Sequence, residues 1–205
     1  MSDGAARFTA RYPVLWHVIE AEGAGRWLAT MGLLPAAELL RRAGVTAEGR
    51  NRDDFHRVRL GNGAVALLRP QRMPDAALIP TLGGRFRGRP DAWRQLIDSH
   101  VFFWTDRGRR DRFISACMRL RATSRSAGGT IRPVVFAFDT AALLGLHGDY
   151  AYLSRFNAGS TVRGGARVRR DEATLMPLAD YRSGGVAELG LRWSSGVWLG
   201  RPTVI

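Results

Sequence analysis

Residues 11–21, Arg11-Tyr12-Pro13-Val14-Leu15-Trp16-His17-Val18-Ile19-Glu20-Ala21, are dominated by a short apolar run rich in β-branched and aromatic side chains and broken by one imidazole. Such a run reads as a buried strand. His17 falls where the strand gives way to Glu22–Leu34, and it has two readings. It is either a core histidine satisfied by a backbone carbonyl, because buried polar groups are paired, or a ligand-orienting residue at a strand end.

Working outward, Ala24 to Met31 predicts a short helix with Trp27, Leu28 and Met31 on one face and Gly32 as its C-cap. Pro35 opens a second helix, Ala36 to Ala43, that ends at Gly44. Thr46 to Asp54 is a polar loop carrying Arg50 and Arg52. Two runs, Val58–Leu60 and Ala64–Leu68, flank Gly61-Asn62-Gly63 and predict a hairpin. Helices follow at Pro74–Leu82 and Pro90–Ile97, with the basic segment Arg85-Phe86-Arg87-Gly88-Arg89 between them as a candidate phosphate-binding loop.

Val101-Phe102-Phe103-Trp104-Thr105-Asp106 is the second strong strand. The helix after it, Arg107 to Leu120, opens with four arginines in six positions, which opposes the helix dipole and hints at an anionic ligand. Ile131 to Phe138 is a third strand, and Asp139-Thr140 caps a helix over Ala141–Leu146. Tyr150–Phe156 reads as a further strand, Asn157–Thr161 as a small polar loop whose backbone can approach a ligand, and Gly164–Asp171 as flexible and basic. In the last strand, Val186–Trp193, strict alternation sets Glu188 on the face opposite Ala187, Leu189 and Leu191. A strand glutamate turned from the core reads, taken alone, as solvated surface.

A chain of 205 residues with no visible linker is expected to form one domain over residues 1–205. Its 45% hydrophobic and 24% charged content is that of a globular protein. No apolar stretch approaches the roughly 20 residues of a spanning helix, so no membrane partner is expected. A start without a basic, apolar leader, together with the single Cys117, predicts a cytoplasmic protein in which that thiol is packed and inert. The formal net charge is +13, and all 31 basic residues are arginine. A GC-rich coding bias accounts for arginine over lysine but not for the sign. The positive field favours nucleic acid or a phosphorylated small molecule as partner.

The Gly-rich phosphate loop, His-Glu-x-x-His, Gly-x-Ser-x-Gly and clustered cysteines are all missing, and no metal is expected. What stands in their place is a histidine ending an early strand, an aromatic strand ending in Trp104-Thr105, the Asn157–Thr161 loop and Glu188 in a late strand. In this order the chain resembles the ADP-ribosyltransferase fold, and within it the DarT-like group and a related family of small uncharacterised bacterial proteins. The resemblance rests on Leu15–Ala21 through Met31–Leu34, Val101–Asp106, Ser154–Thr161, Pro177–Tyr181 and Val186–Leu189, and so spans nearly the whole chain. It departs from the group at Trp104, where many relatives carry tyrosine or serine, and at the nucleotide arginine, for which Arg50, Arg52 and Arg69 compete.

The resemblance implies an α+β fold with a split β-sheet core and flanking short helices. It implies NAD as substrate, bound across the split with nicotinamide against Phe103 or Trp104. His17, Thr105, Asn157, Thr161 and Arg69 would contact the dinucleotide, and Glu188 would be the catalytic carboxylate. The function it implies is NAD-dependent ADP-ribosyl transfer to DNA or RNA, in a toxin or defence effector with a neutralising antitoxin partner. The competing reading is a catalytically inactive nucleic-acid-binding module of the same fold. Phosphate transfer from an RNA end to NAD ranks lower, because the histidine and arginine motifs of that group have no counterparts here.

Overall fold

The computed structural model describes residues 2–20, 32–46, 49–61, 63–125, 133–161, 168–192 and 203–204. The opening run is a strand, β1 (Val14–Glu20), and it pairs along its full length with β5 (Pro133–Asp139), from Val14 opposite Asp139 to Glu20 opposite Pro133. On its other edge β1 meets β4 (His100–Trp104) through one register pair among the described residues, Trp16 opposite Trp104. β4 in turn pairs along its length with β8 (Glu188–Arg192). Beyond β8 lie β6 (Ala151–Ser154) and the two-residue β7 (Met176–Pro177), while β9 (Thr203–Val204) extends the β5 edge. The sheet therefore runs β7-β6-β8-β4-β1-β5-β9 with antiparallel neighbours throughout, in an α+β fold.

Two blocks of well-paired strands are thus joined at a narrow seam between β1 and β4. The predicted hairpin forms apart from this sheet as β2 (His56–Arg59) and β3 (Val65–Leu68), closed by Leu60 donating its N–H to the Ala64 carbonyl at 2.8 Å. Its Gly63 has φ of +78°, a conformation that a side chain would strain.

One face of the sheet carries Leu15, Ile19, Phe103, Phe136 and Leu189 into a core shared with two helices, Asp3–Arg11 and Thr140–His147. The second of these is capped as expected, by the Asp139 carboxylate on Ala142 N at 2.8 Å. The first has no counterpart among the elements expected from the sequence. Ser2 caps it by accepting from Ala5 N at 3.2 Å, and Phe8 is fully buried against Tyr181, contributing about 2 kcal/mol by its removal from water. Gly4 is required there, since a Cβ would stand 2.3 Å from the Leu178 carbonyl oxygen.

The opposite face is also covered. The helix Arg107–Ala122 lies over Trp16 and Trp104, and a segment centred on the fully buried Trp93 packs against Phe102 and Tyr152. Gly190 belongs to this face because a Cβ would come within 3.0 Å of the Phe102 ring. Glu188 consequently corrects the solvated-surface reading that its strand position gives when taken alone: it is 4% exposed.

Other boundaries shift for local reasons. The expected helix over residues 74–82 is one α-turn, Asp75–Leu78, continued as a 3-10 turn, Ile79–Thr81. Pro80 has no N–H to extend the α-ladder. The helix over residues 90–97 runs to Asp98, and the expected strand over residues 150–156 contracts to Ala151–Ser154 behind a 3-10 turn. The arginine-rich helix starts at Arg107 under the Asp106 side chain, which accepts from Arg109 N at 2.8 Å. Its own cap supplies the anion, and Arg107 and Arg110 lie over the Trp16 ring. The hint of a ligand there thus has a local explanation. The expected helix at residues 24–31, the first half of the loop at residues 164–171, and Trp193 lie outside the described residues.

Candidate functional site

The site is built at the seam. Past the Trp16–Trp104 pair the two strands part, and the His17 imidazole fills the gap by bonding through Nδ1 to the Phe102 carbonyl at 2.8 Å. A carbonyl only accepts, so Nδ1 carries the proton and Nε2 presents a lone pair. Burial holds the imidazole neutral, with its pKa lowered to about 4. The Phe102 hydrogen bond opposes this, and the nearby Arg69 charge adds to it. The structure thus shows the first reading of His17, an imidazole satisfied by a backbone carbonyl, and leaves Nε2 as an acceptor.

Glu188 opens β8, directly across from Trp104 on one side and Ser154 on the other. Its Oε2 accepts from the backbone N–H of Ala158 at 2.9 Å. Burial raises its pKa to about 8, against the Ala158 hydrogen bond and the Arg109 charge, which both favour the ionised form. A buried carboxyl with so large a shift, placed beside an aromatic side chain at a strand end, is where functional groups concentrate.

The other expected site residues divide. Trp104 is partly exposed, packs against Phe113 at 5.1 Å between ring centres, and is the aromatic adjacent to Glu188. Phe103 is fully buried, edge-on to Phe138 at 5.3 Å, and so belongs to the core rather than to a ligand wall. Thr105 is buried and donates its hydroxyl to the Val186 carbonyl at 2.6 Å, fastening β4 to the approach of β8. Asn157 accepts from Gly159 N at 3.1 Å within its own loop, and Thr161 donates to the Arg72 carbonyl at 3.3 Å. Alternation places His17 on the face of Phe103 and sets Trp104 and Glu188 on the other. The histidine and the glutamate are thus related across the seam, not side by side.

Among the arginines, Arg52 is committed to a bidentate pair with Asp98 at 2.6 and 2.8 Å, which Gln71 also joins. Arg50 and Arg52 border a concavity of about 550 Å³ with Leu40, Phe55 and Asp98, before the N-terminal end of β4, whereas Glu188 pairs with Trp104 at the other end of that strand. Arg69 alone of the three is electrostatically coupled to His17. It lies over the Phe113 ring at 4.8 Å and 3.6 Å from Glu20, whose carboxylate is fully buried and has Arg121 at 3.4 Å on its other oxygen. The basic segment 85–89 lies elsewhere, with Arg85 N donating to Glu172 Oε1 at 2.5 Å.

Glu20 and Arg121 join the site without having been expected from the sequence, and a charge closing the apolar run of β1 was the available signal for Glu20. Arg109 comes from the arginine run that hints at an anionic ligand, and Ala158 from the loop whose backbone is expected to approach one. Residues 13–189 match a family of unknown function, DUF7002. The chain belongs to that family. The match begins one residue before β1 and ends inside β8, so it contains the whole seam in this DUF7002 protein. No curated protein and no solved structure matches it. Among the described residues no three histidine, cysteine, aspartate or glutamate side chains converge to hold a metal, and no helix is long and apolar enough to cross a membrane. What the DUF7002 seam offers chemically is a neutral acceptor at His17, a carboxyl fixed through one oxygen at Glu188, an aromatic ring at Trp104 and a guanidinium at Arg69.

Proposed function

We propose that this DUF7002 protein is an NAD-dependent ADP-ribosyltransferase of ADP-ribosyltransferase-like split-sheet fold, acting on DNA or RNA. The observation that carries the reading is Glu188, a buried carboxyl held by one backbone amide beside Trp104, where the sheet is reduced to a single pair joining β1 and β4. In this reading NAD lies across the seam. Trp104 walls the nicotinamide, His17 accepts a ribose hydroxyl at Nε2, and Arg69 meets the diphosphate. Glu188 accepts a hydroxyl of the nicotinamide ribose through the oxygen not used by Ala158.

The bond from ribose C1′ to the nicotinamide nitrogen breaks, and neutral nicotinamide departs. The ionised carboxylate stabilises the oxocarbenium-like carbon. A nucleophile of the polynucleotide then bonds to C1′ and loses its proton to solvent. The positive charge of the bound nicotinamide ring favours ionisation of Glu188, offsetting the burial that raises its pKa in the free protein. A formal charge of +13 supports a polyanionic acceptor.

The same charge, with Glu188 largely protonated at neutral pH in the free protein, favours a second reading, an inactive nucleic-acid-binding module. Incubation with labelled NAD and single- or double-stranded DNA or RNA separates the two. Transfer of label that is lost in Glu188→Gln is the expected result. Salt-sensitive polynucleotide binding without NAD binding or transfer would favour the module. For the transferase reading, a neutralising protein partner, as for a toxin, is tested by co-expression.

A further inference from the structure

Arg170 is a buried cation, 4% exposed, with no acidic partner among the described residues. Burial lowers its pKa, and its Nε has no hydrogen-bond partner. A guanidinium in that position is costly unless it holds something. Its Nη2 donates to the Ser160 carbonyl at 2.6 Å, its Nη1 to the Val168 carbonyl at 2.8 Å, and its Cζ lies 5.3 Å from the centre of the Phe156 ring. Its own backbone is fixed on both sides: its N–H donates to the Thr81 carbonyl at 2.8 Å, and its carbonyl accepts from Gly83 N at 2.9 Å.

Phe156 and Ser160 bracket Ala158, whose N–H is the donor to Glu188. The near end of this loop is tied to the sheet, by Ser154 Oγ donating to the Phe156 carbonyl at 2.7 Å and by Ala187 N donating to the Ser154 carbonyl at 2.8 Å. Asn157 shapes the apex by accepting from Gly159 N. The far end is tied by the guanidinium of Arg170.

We propose that Arg170 is a positioning residue that braces the Phe156–Ser160 loop so that the Ala158 amide stays aimed at Glu188. The proposal deepens the reading of the Glu188 site and rests on that site's importance, but its test needs neither NAD nor turnover. An amide that donates to a carboxyl changes its proton chemical shift as the carboxyl titrates.

The ¹H–¹⁵N resonance of Ala158 is followed across the pH range bracketing about 8, in the wild type, in Arg170→Met and in Arg170→Lys. Glu188→Gln serves as the control that abolishes the titration. In the wild type the amide moves with Glu188. In Arg170→Met the amplitude falls below about half, because a hydrogen bond weakens steeply once misaligned. Arg170→Lys, which keeps the charge and one donor to Ser160, falls between the two and carries the test if the methionine variant does not fold. Wild-type amplitude in a folded Arg170 variant overturns the proposal, as does a wild-type amide that ignores the titration of Glu188. Failure of the ADP-ribosyl reading has a different signature: no transfer from NAD while the amide coupling is intact.

Discussion

Trp104 and Glu188 are cross-strand partners at the edge of the seam, and the glutamate is the buried member of the pair. An apolar neighbour on a covered sheet face is what lifts the carboxyl to about 8, and only the Ala158 amide and the Arg109 charge pull against it.

The sign of the pH dependence follows. If the ionised carboxylate is the working form, kcat/KM for ADP-ribosyl transfer rises with pH and levels off above about 8, the value of the free protein. Profiles of kcat/KM and kcat measured together report the free and NAD-bound protein respectively. The kcat limb is expected at lower pH, because the nicotinamide cation favours the carboxylate. A flat profile, or one that falls with pH, would contradict a carboxylate role.

The raised pKa of Glu188 also bears on stability. It lies above the ordinary value of 4.5, so the folded state holds the proton more tightly between 4.5 and about 8. The contribution to stability is complete at acid pH and is lost as pH rises through that window. Glu188→Gln carries no ionisable group and escapes the loss. It is expected to match the wild type near pH 4.5 and to exceed it at pH 9 by on the order of a few kcal/mol, since a tenfold difference in proton affinity corresponds to about 1.4 kcal/mol. Urea unfolding at the two pH values measures this.

The histidines act in the opposite direction. His17 and His100 are both lowered to about 4 by burial, so each is neutral in the folded protein where the unfolded chain would already be charged. Between the ordinary value of 6.5 and about 4 the unfolded state binds more protons, and stability falls as pH falls. His100→Phe removes one of these protons, and its stability is expected to decline less steeply over the same interval. Thermal unfolding at stepped pH tests it.

How much of this was legible depended on whether a residue's environment is local. β1, β4, β5, the hairpin and the Asp139 cap follow from runs and capping residues a few positions long, and the sequence predicts each within a few residues of its observed ends. The helix Asp3–Arg11 was hidden because it is short and its apolar contact, Phe8, gains meaning only against Tyr181. Alternation identified the face of Glu188 but not what lies over it; that cover comes from a helix far earlier in the chain and from the loop that follows β6. Phe103 and Trp104 were interchangeable as ligand walls in the sequence, and the register of β4 separates them, sending one ring into the core and leaving the other beside Glu188.

Glu20 supplies the test of the seam as a framework. Its carboxylate has zero exposure and sits 3.6 Å from Arg69 and 3.4 Å from Arg121, whose three guanidinium nitrogens have no hydrogen-bond partner of their own. Glu20→Gln keeps the shape and deletes the counter-charge, leaving a buried Arg121 beside a second cation. Breaking a buried pair on one side costs about 3–5 kcal/mol. Arg69 is 21% exposed and can turn outward, so Arg69→Met is expected to cost less in stability but to weaken NAD binding, if that guanidinium meets the diphosphate. Unfolding by urea and NAD titration on the same two variants therefore separate the roles. Stability lost mainly at Glu20 and affinity lost mainly at Arg69 is the expected pattern, and equal loss of affinity in both would mean that the pair acts as a unit.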